Sequence, residues 1–202
     1  VKRANKSFTV DIHCHVHTPA ADDMVKDVIS QDVDPLFKFA NDKTREVNAK
    51  QVVTIKEKIT QIAPRLKEMD KMGVDMQAIS VAPPQYFYWT EPELGRAVTR
   101  VINDNIASIV HAHPDRFVGL GHLPMQHPEF ALAELDRCAK DLGMRGVELC
   151  TNVNGTDLGD ARFAPLFARL DALGMVVFLH PGGFTQGERL SEHYLNNRSE
   201  EH

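Results

Sequence analysis

The chain has 202 residues, of which 43% are hydrophobic and 25% are charged, and its net charge is −5. This composition is typical of one globular domain, and an acidic chain without a basic cluster is not expected to bind nucleic acid. No apolar run approaches the about 20 residues that span a bilayer, and no signal peptide is recognised, so we expect a cytoplasmic protein without a membrane partner. The three cysteines form no CxxC pair, which favours reduced thiols.

Hydrophobic periodicity predicts strands and helices that alternate along the chain. The predicted elements are a strand ending within 11–17, a helix over 44–72, a strand over 76–82, a helix over 90–112 with Thr90 as its N-cap, a strand over 117–123, a helix over 128–141, a strand over 146–151, a helix over 162–173 and a strand over 175–180. Residues 22–39 have an irregular pattern with room for a short helix. The alternation and the short connections indicate a parallel sheet and an α/β fold.

Two histidines lie two residues apart where the first predicted strand ends, in the segment DIHCHVH. Because side chains alternate along a strand, His13 and His15 are expected on one face together with Asp11, and Cys14 on the other. Two imidazoles in this arrangement can reach one divalent metal ion, and imidazole suits zinc, iron, nickel and copper, while an added carboxylate would extend the choice to manganese. The alternative is a pair of ordinary surface or core histidines.

Other candidate site residues follow later strands of the predicted sheet. His180 ends the fifth strand, and the carboxyl ends of parallel strands meet at one edge, where α/β folds bind ligands. His17 and Trp89, which follow the first and second strands, are candidates for contact with a substrate; the alternatives are a turn histidine and ordinary loop packing. Glu148 lies within a predicted strand and, if it faces the interior, must be paired or protonated; binding the metal, or supporting its ligands, is an alternative role.

These segments resemble the amidohydrolase superfamily, in particular the branch that contains aminocarboxymuconate-semialdehyde decarboxylase and related metal-dependent decarboxylases. The HxH pair of His13 and His15 is similar to that of the family's first strand. Further similar segments are LKEMDKMGVD (66–75), HPDRFVG (113–119), GVEL (146–149) and FLHP (178–181). The resemblance implies a (β/α)₈ TIM barrel with one divalent metal, usually zinc, held by His13, His15 and His180. We expect about five of the eight βα units in a single domain, 1–202, with the C-terminal part of the barrel missing.

The resemblance also implies a function. The expected protein is a metal-dependent enzyme, most similar to the non-hydrolytic decarboxylases, acting on a small carboxylated aromatic or dienoic acid. Zinc is the expected cofactor and manganese the second choice; no catalytic residue is assigned, because the family's histidine after strand six and aspartate after strand eight have no counterpart here. A hydrolase or hydratase with the same site, and a catalytically inactive fragment or interaction protein, remain as alternatives. Unpaired sheet edges invite association, so a homo-oligomer is expected.

Overall fold

Five parallel strands form the centre of the molecule. The computed structural model describes residues 7–29 and 38–182. The five parallel strands are β1 (Val10–Val16), β2 (Met76–Val81), β3 (Phe117–Gly121), β4 (Gly146–Cys150) and β7 (Val176–His180), and a separate pair of short strands is formed by β5 (Asn152–Val153) and β6 (Thr156–Asp157). The helices are α1 (Pro19–Val25), α2 (Asp42–Thr60), α3 (Ile62–Met72), α4 (Pro92–Ala112), α5 (Pro128–Lys140) and α6 (Ala164–Leu173), with single 3₁₀ turns at Pro83–Gln85 and Ala161–Phe163.

The sheet has the order β1-β2-β3-β4-β7, and every neighbouring pair is parallel. Strand order follows chain order, as expected when each strand is connected to the next by a helix on the outer face. The result is a curled half-barrel, consistent with an incomplete TIM barrel, and it confirms the predicted α/β class. The small antiparallel pair β5–β6 follows β4 and was not predicted from the sequence.

The core lies between the sheet and its covering helices. Ile79 of β2 is paired with Gly119 of β3, and this face of the sheet packs on α4. A Cβ atom on Gly119 would lie 3.2 Å from a methyl carbon of Ile106, so the missing side chain lets the helix approach the sheet closely. Helix α4 buries Val98, Ile102 and Ile106 at helical spacing, as its sequence pattern predicts.

The predicted helix over 44–72 is wrong in one respect, because two helices occupy this segment. Gln61 is extended, with φ −117° and ψ 130°, and separates α2 from α3. Pro64 explains the break, because a continuous helix would bring its ring against the carbonyl of Thr60 and would lose one hydrogen bond. Gly73 ends α3 in the left-handed conformation, with φ 74°, as predicted for a C-terminal glycine.

The start of α4 also differs from the prediction. Glu91, not Thr90, is the N-cap residue, and the Oγ1 hydroxyl of Thr90 donates to the carbonyl of Phe87 at 2.7 Å instead. The short helix expected within 22–39 begins earlier, as α1, and residues 30–37 lie outside the described residues.

Apolar side chains are exposed on both outer strands of the half-barrel. Ile12 on β1 is 62% exposed, and Leu179 on β7 is 51% exposed. Val10 and Val176, on the same two strands, are also exposed. Within residues 7–29 and 38–182, no helix combines the length and apolarity that crossing a membrane requires.

Candidate metal centre

The two histidines of β1 face the hollow of the half-barrel because the strand contains a bulge. Between Asp11 and Cys14 strand β1 advances three residues while β2 advances two, so one extra residue is accommodated there. Beyond the bulge, His15 is paired with Ser80 of β2. The Nε2 atoms of His13 and His15 lie 3.0 Å apart.

The expectation that Asp11 shares the face of the two histidines is wrong for the same reason. Asp11 lies before the bulge and is paired with Gln77, whose side-chain amide donates to the Asp11 carboxylate at 3.2 Å. Regular alternation would have kept Asp11 beside the two imidazoles, whereas the extra residue moves it to the outer face of the sheet. The carboxylate therefore does not complete the histidine cluster.

His180 reaches the same place from β7, the outer strand on the other side of the sheet from β1. It is the last residue of β7 and is almost fully buried. Its ring centroid lies 5.5 Å from that of His13 and 5.2 Å from that of His15. One nitrogen from each of the three rings lies within 4.8 Å of the others. The structure thus brings together the three residues predicted as metal ligands, and their role in binding an ion stays a prediction.

Hydrogen bonds orient two of these rings. Nδ1 of His15 lies 2.9 Å from the carbonyl oxygen of Val81, and Nδ1 of His180 lies 3.0 Å from the carbonyl oxygen of Pro181. A carbonyl only accepts hydrogen bonds, so in both rings Nδ1 carries a proton and Nε2 is the nitrogen that can bind an ion. Metal-binding histidines use this arrangement, in which one ring nitrogen is oriented by the protein and the other binds the ion.

A fully buried carboxylate lies next to His15. Both Glu148 oxygens accept hydrogen bonds, one from the Ser80 hydroxyl at 2.5 Å and one from the Tyr86 hydroxyl at 2.6 Å. Nδ1 of His15 is 3.8 Å from the nearer oxygen. Burial and the negative charge of Glu148 raise the pKa of Tyr86, so its hydroxyl keeps the proton that it donates. The sequence indicated that a Glu148 facing the interior needs a partner, but it did not identify Ser80 as that partner. A serine among the apolar residues of β2 is the signal that could have found it.

The two predicted substrate contacts lie outside the histidine cluster. Nε2 of His17 is 2.7 Å from a carboxylate oxygen of Asp22. Burial would raise the pKa of Asp22, but hydrogen bonds from His17 and Gln85 outweigh burial and lower it. Trp89 packs its indole edge-on against the ring of Phe87, with centroids 5.9 Å apart. Contact of His17 and Trp89 with a substrate remains a prediction.

His122 is a buried histidine that supports the site without joining the cluster. Its Nε2–H donates to the carbonyl of Tyr86 at 3.0 Å, and its ring stacks on Tyr88 with centroids 5.8 Å apart. Burial lowers the pKa of His122 to about 4, so the ring is neutral near pH 7. The side chain therefore serves as a hydrogen-bonded packing group beneath Tyr86.

The comparison with known protein families agrees with this geometry. The family model described as amidohydrolase matches residues 10–200. The chain belongs to the amidohydrolase family. The resemblance inferred from the HxH pair and the later strands is therefore confirmed.

Sequence relatives of this amidohydrolase chain include two decarboxylases. A 2-amino-3-carboxymuconate-6-semialdehyde decarboxylase from Dictyostelium discoideum is 37% identical over 131 residues, which are 65% of this chain and 36% of the relative. A gamma-resorcylate decarboxylase from Polaromonas sp. strain JS666 is 32% identical over 127 residues, 58% of this chain and 38% of the relative. Each match spans well under two thirds of the relative's length.

A solved structure shows the same fold. The 5-carboxyvanillate decarboxylase from Novosphingobium aromaticivorans DSM 12444, complexed with manganese and 4-hydroxy-3-methoxy-5-nitrobenzoic acid, superimposes with a TM-score of 0.83 at 20% identity. The match covers 95% of this chain and 55% of that structure. The metal of that neighbour is manganese, and the choice of zinc for this chain stays a prediction. Three imidazole nitrogens suit zinc, and together with oxygen ligands they also suit manganese.

Proposed function

We propose that this chain forms the metal-binding part of a non-hydrolytic decarboxylase that acts on a small carboxylated aromatic or dienoic acid. The observation that carries the proposal is the meeting of His13, His15 and His180 at the carboxyl ends of the two outer strands of the sheet. The two sequence relatives support the reaction class, because both are named as decarboxylases.

The three histidines would hold one divalent ion, zinc or manganese. When bound, such an ion supplies a Lewis acid that polarises an oxygen of the substrate. The backbone carbonyls of Val81 and Pro181 hold Nδ1 of His15 and His180, so little ordering of these two rings is left to occur when the ion binds. The chain's contribution is therefore a preoriented donor set.

His17 and Trp89 are proposed to contact the substrate. Each follows the carboxyl end of a strand, on the same edge of the sheet as the histidine cluster. Within the described part of the chain, the indole N–H of Trp89 is buried and has no hydrogen-bond acceptor. Such a donor suits an oxygen of a carboxylated aromatic compound, and the indole ring suits its apolar face.

We also propose that the outer strands associate with another copy of the chain and that the protein is cytoplasmic. The exposed Ile12 and Leu179 support association, because apolar outer strands of a sheet favour pairing with another chain. All three cysteines are reduced and buried, which agrees with a reducing compartment.

Product analysis of the metal-loaded enzyme, of which this chain is proposed to form the metal-binding part, tests the reaction. Gamma-resorcylate and 2-amino-3-carboxymuconate-6-semialdehyde are incubated with the protein, and the products are identified by mass spectrometry. We expect a product that has lost CO₂ from the unmodified protein and from His111→Ala, a control at the end of α4. The His180→Ala variant should form none.

Two other results separate the alternatives. A product that has gained the elements of water, with the carboxyl group retained, would indicate a hydratase or hydrolase. A complete enzyme that binds the metal but converts neither compound would contradict the decarboxylase proposal and favour a non-catalytic metal-binding protein.

A further inference from the structure

The buried carboxylate of Glu148 is the residue of the site to which neither the fold nor the histidine cluster assigns a role. Glu148 lies in the middle of β4 and has no exposed surface. It is paired in register with Phe178, two residues before His180 on β7. Side chains two residues apart on a strand share a face, so Glu148 projects towards the same hollow as His180.

Two hydroxyl groups hold the carboxyl group of Glu148 in place. Ser80 donates to one carboxylate oxygen at 2.5 Å and Tyr86 donates to the other at 2.6 Å. Distances of this length are typical of hydrogen bonds from hydroxyls to a carboxylate. The two bonds hold the carboxyl group beside the histidine cluster.

A carboxylate buried beside the cluster is stabilised by positive charge nearby. The three imidazoles of the cluster are neutral ligands, so an ion that they hold keeps its full double charge. The Glu148 oxygen that Ser80 contacts is also 3.8 Å from Nδ1 of His15. Ser80 Oγ itself lies 3.3 Å from the same nitrogen. The carboxylate is thus directly behind one ligand ring.

We propose that Glu148 is a positioning residue of the metal centre: its carboxylate, held by Ser80 and Tyr86, supports the ring of His15 through Ser80 and offsets the charge of the divalent ion. This inference rests on the metal centre proposed above and deepens it. Mutation of a residue that orients a metal ligand from behind typically lowers the metal affinity by about 10- to 100-fold. The charge of Glu148 adds to this effect, because the interior screens it poorly.

The test compares two isosteric substitutions of buried glutamates. Glu148→Gln removes the charge beside the cluster, and Glu134→Gln removes a charge that is bonded to Asn103 and Arg137 on α4 and α5, outside the cluster. Dissociation constants for Zn²⁺ and Mn²⁺ are measured by competition with a chromogenic chelator, and folding is checked by circular dichroism. We expect Glu148→Gln to bind both ions at least about tenfold more weakly than the unmodified protein, with Glu134→Gln unchanged.

Two further variants keep the test decisive. Glu148→Asp retains the charge and should recover part of the lost affinity. Tyr86→Phe retains the carboxylate with one hydrogen bond fewer, and it should weaken binding by a smaller factor even if Glu148→Gln does not fold. With Co²⁺ as the probe, the visible absorption bands should change in Glu148→Gln and stay the same in Glu134→Gln.

The outcomes distinguish this inference from the proposed function. Equal metal affinity and equal Co²⁺ spectra for Glu148→Gln and the unmodified protein would overturn the role of Glu148 and leave the histidine site intact. Failure of the unmodified protein to bind any of the three ions would overturn the metal centre itself.

Discussion

The ring of His15 is tied to the neighbouring strand, because its Nδ1–H donates to the carbonyl oxygen of Val81 at 2.9 Å. This bond predicts that Nδ1 of His15 carries a proton in the metal-free protein. Long-range ¹H–¹⁵N NMR spectra distinguish the two tautomers. Addition of Zn²⁺ should then shift the Nε2 resonance of His15 more than its Nδ1 resonance. A ring protonated on Nε2 alone would contradict this account.

The close approach of β4 and β7 depends on a glycine. A Cβ atom on Gly146 would lie 2.5 Å from the carbonyl oxygen of Val176 and 3.0 Å from a methyl carbon of Leu120. Gly146→Ala should therefore lower the free energy of unfolding by about 1–3 kcal/mol in urea denaturation, because backbone would have to move. Gly159→Ala is the matched control, since nothing lies within 4 Å of its added carbon. Equal stability of the two variants would show that the strands are not so closely packed.

Burial of His122 predicts a loss of stability in acid. Its pKa is about 4 in the folded protein and about 6.5 when unfolded, so below pH 6.5 the unfolded state binds a proton that the folded state does not. The resulting destabilisation grows as the pH falls from 6.5 and is complete below about 4, where it amounts to roughly 3 kcal/mol.

The variant His122→Gln isolates this effect from other titrations. It keeps a donor for the Tyr86 carbonyl and cannot be protonated in this range. Urea denaturation at pH 7 and pH 4.5 should show a smaller loss of unfolding free energy for the variant than for the unmodified protein. The same loss in both proteins would exclude His122 as its source.

The cysteines should be unreactive in the folded protein. Cys14, Cys138 and Cys150 are all buried, and burial raises the pKa of the Cys14 and Cys138 thiols, so very little thiolate is present near pH 7. Titration with a chromogenic disulfide reagent should detect three thiols in urea and essentially none under native conditions. One rapidly reacting native thiol would show that a strand end opens readily.

The strand–helix alternation and the placement of the three histidines followed from the sequence because both depend on local patterns. The period of the apolar residues identified each strand, and the parallel arrangement brought His15 and His180 to one edge. Long helices were harder to delimit. The apolar spacing continues through Gln61, and only the position of Pro64 reveals that α2 and α3 are separate.

Features that depend on pairing between strands were not predictable in the same way. The bulge after Asp11 depends on how β1 aligns with β2, and alternation along one strand alone gives the wrong face for that carboxylate. The partners of Glu148 come from residues 62 and 68 positions away in the chain. A single sequence indicates that a buried glutamate needs such partners, but it does not identify Ser80 and Tyr86.

Metal titration of the unmodified protein beside His180→Ala tests the central claim most directly. Equilibrium dialysis against Zn²⁺ and Mn²⁺, followed by elemental analysis, measures both stoichiometry and affinity. We predict about one ion per chain for the unmodified protein. Binding should be at least about tenfold weaker for His180→Ala, because the ligand that β7 provides is lost. No stoichiometric metal in the unmodified protein, or equal binding by the two proteins, would contradict the account.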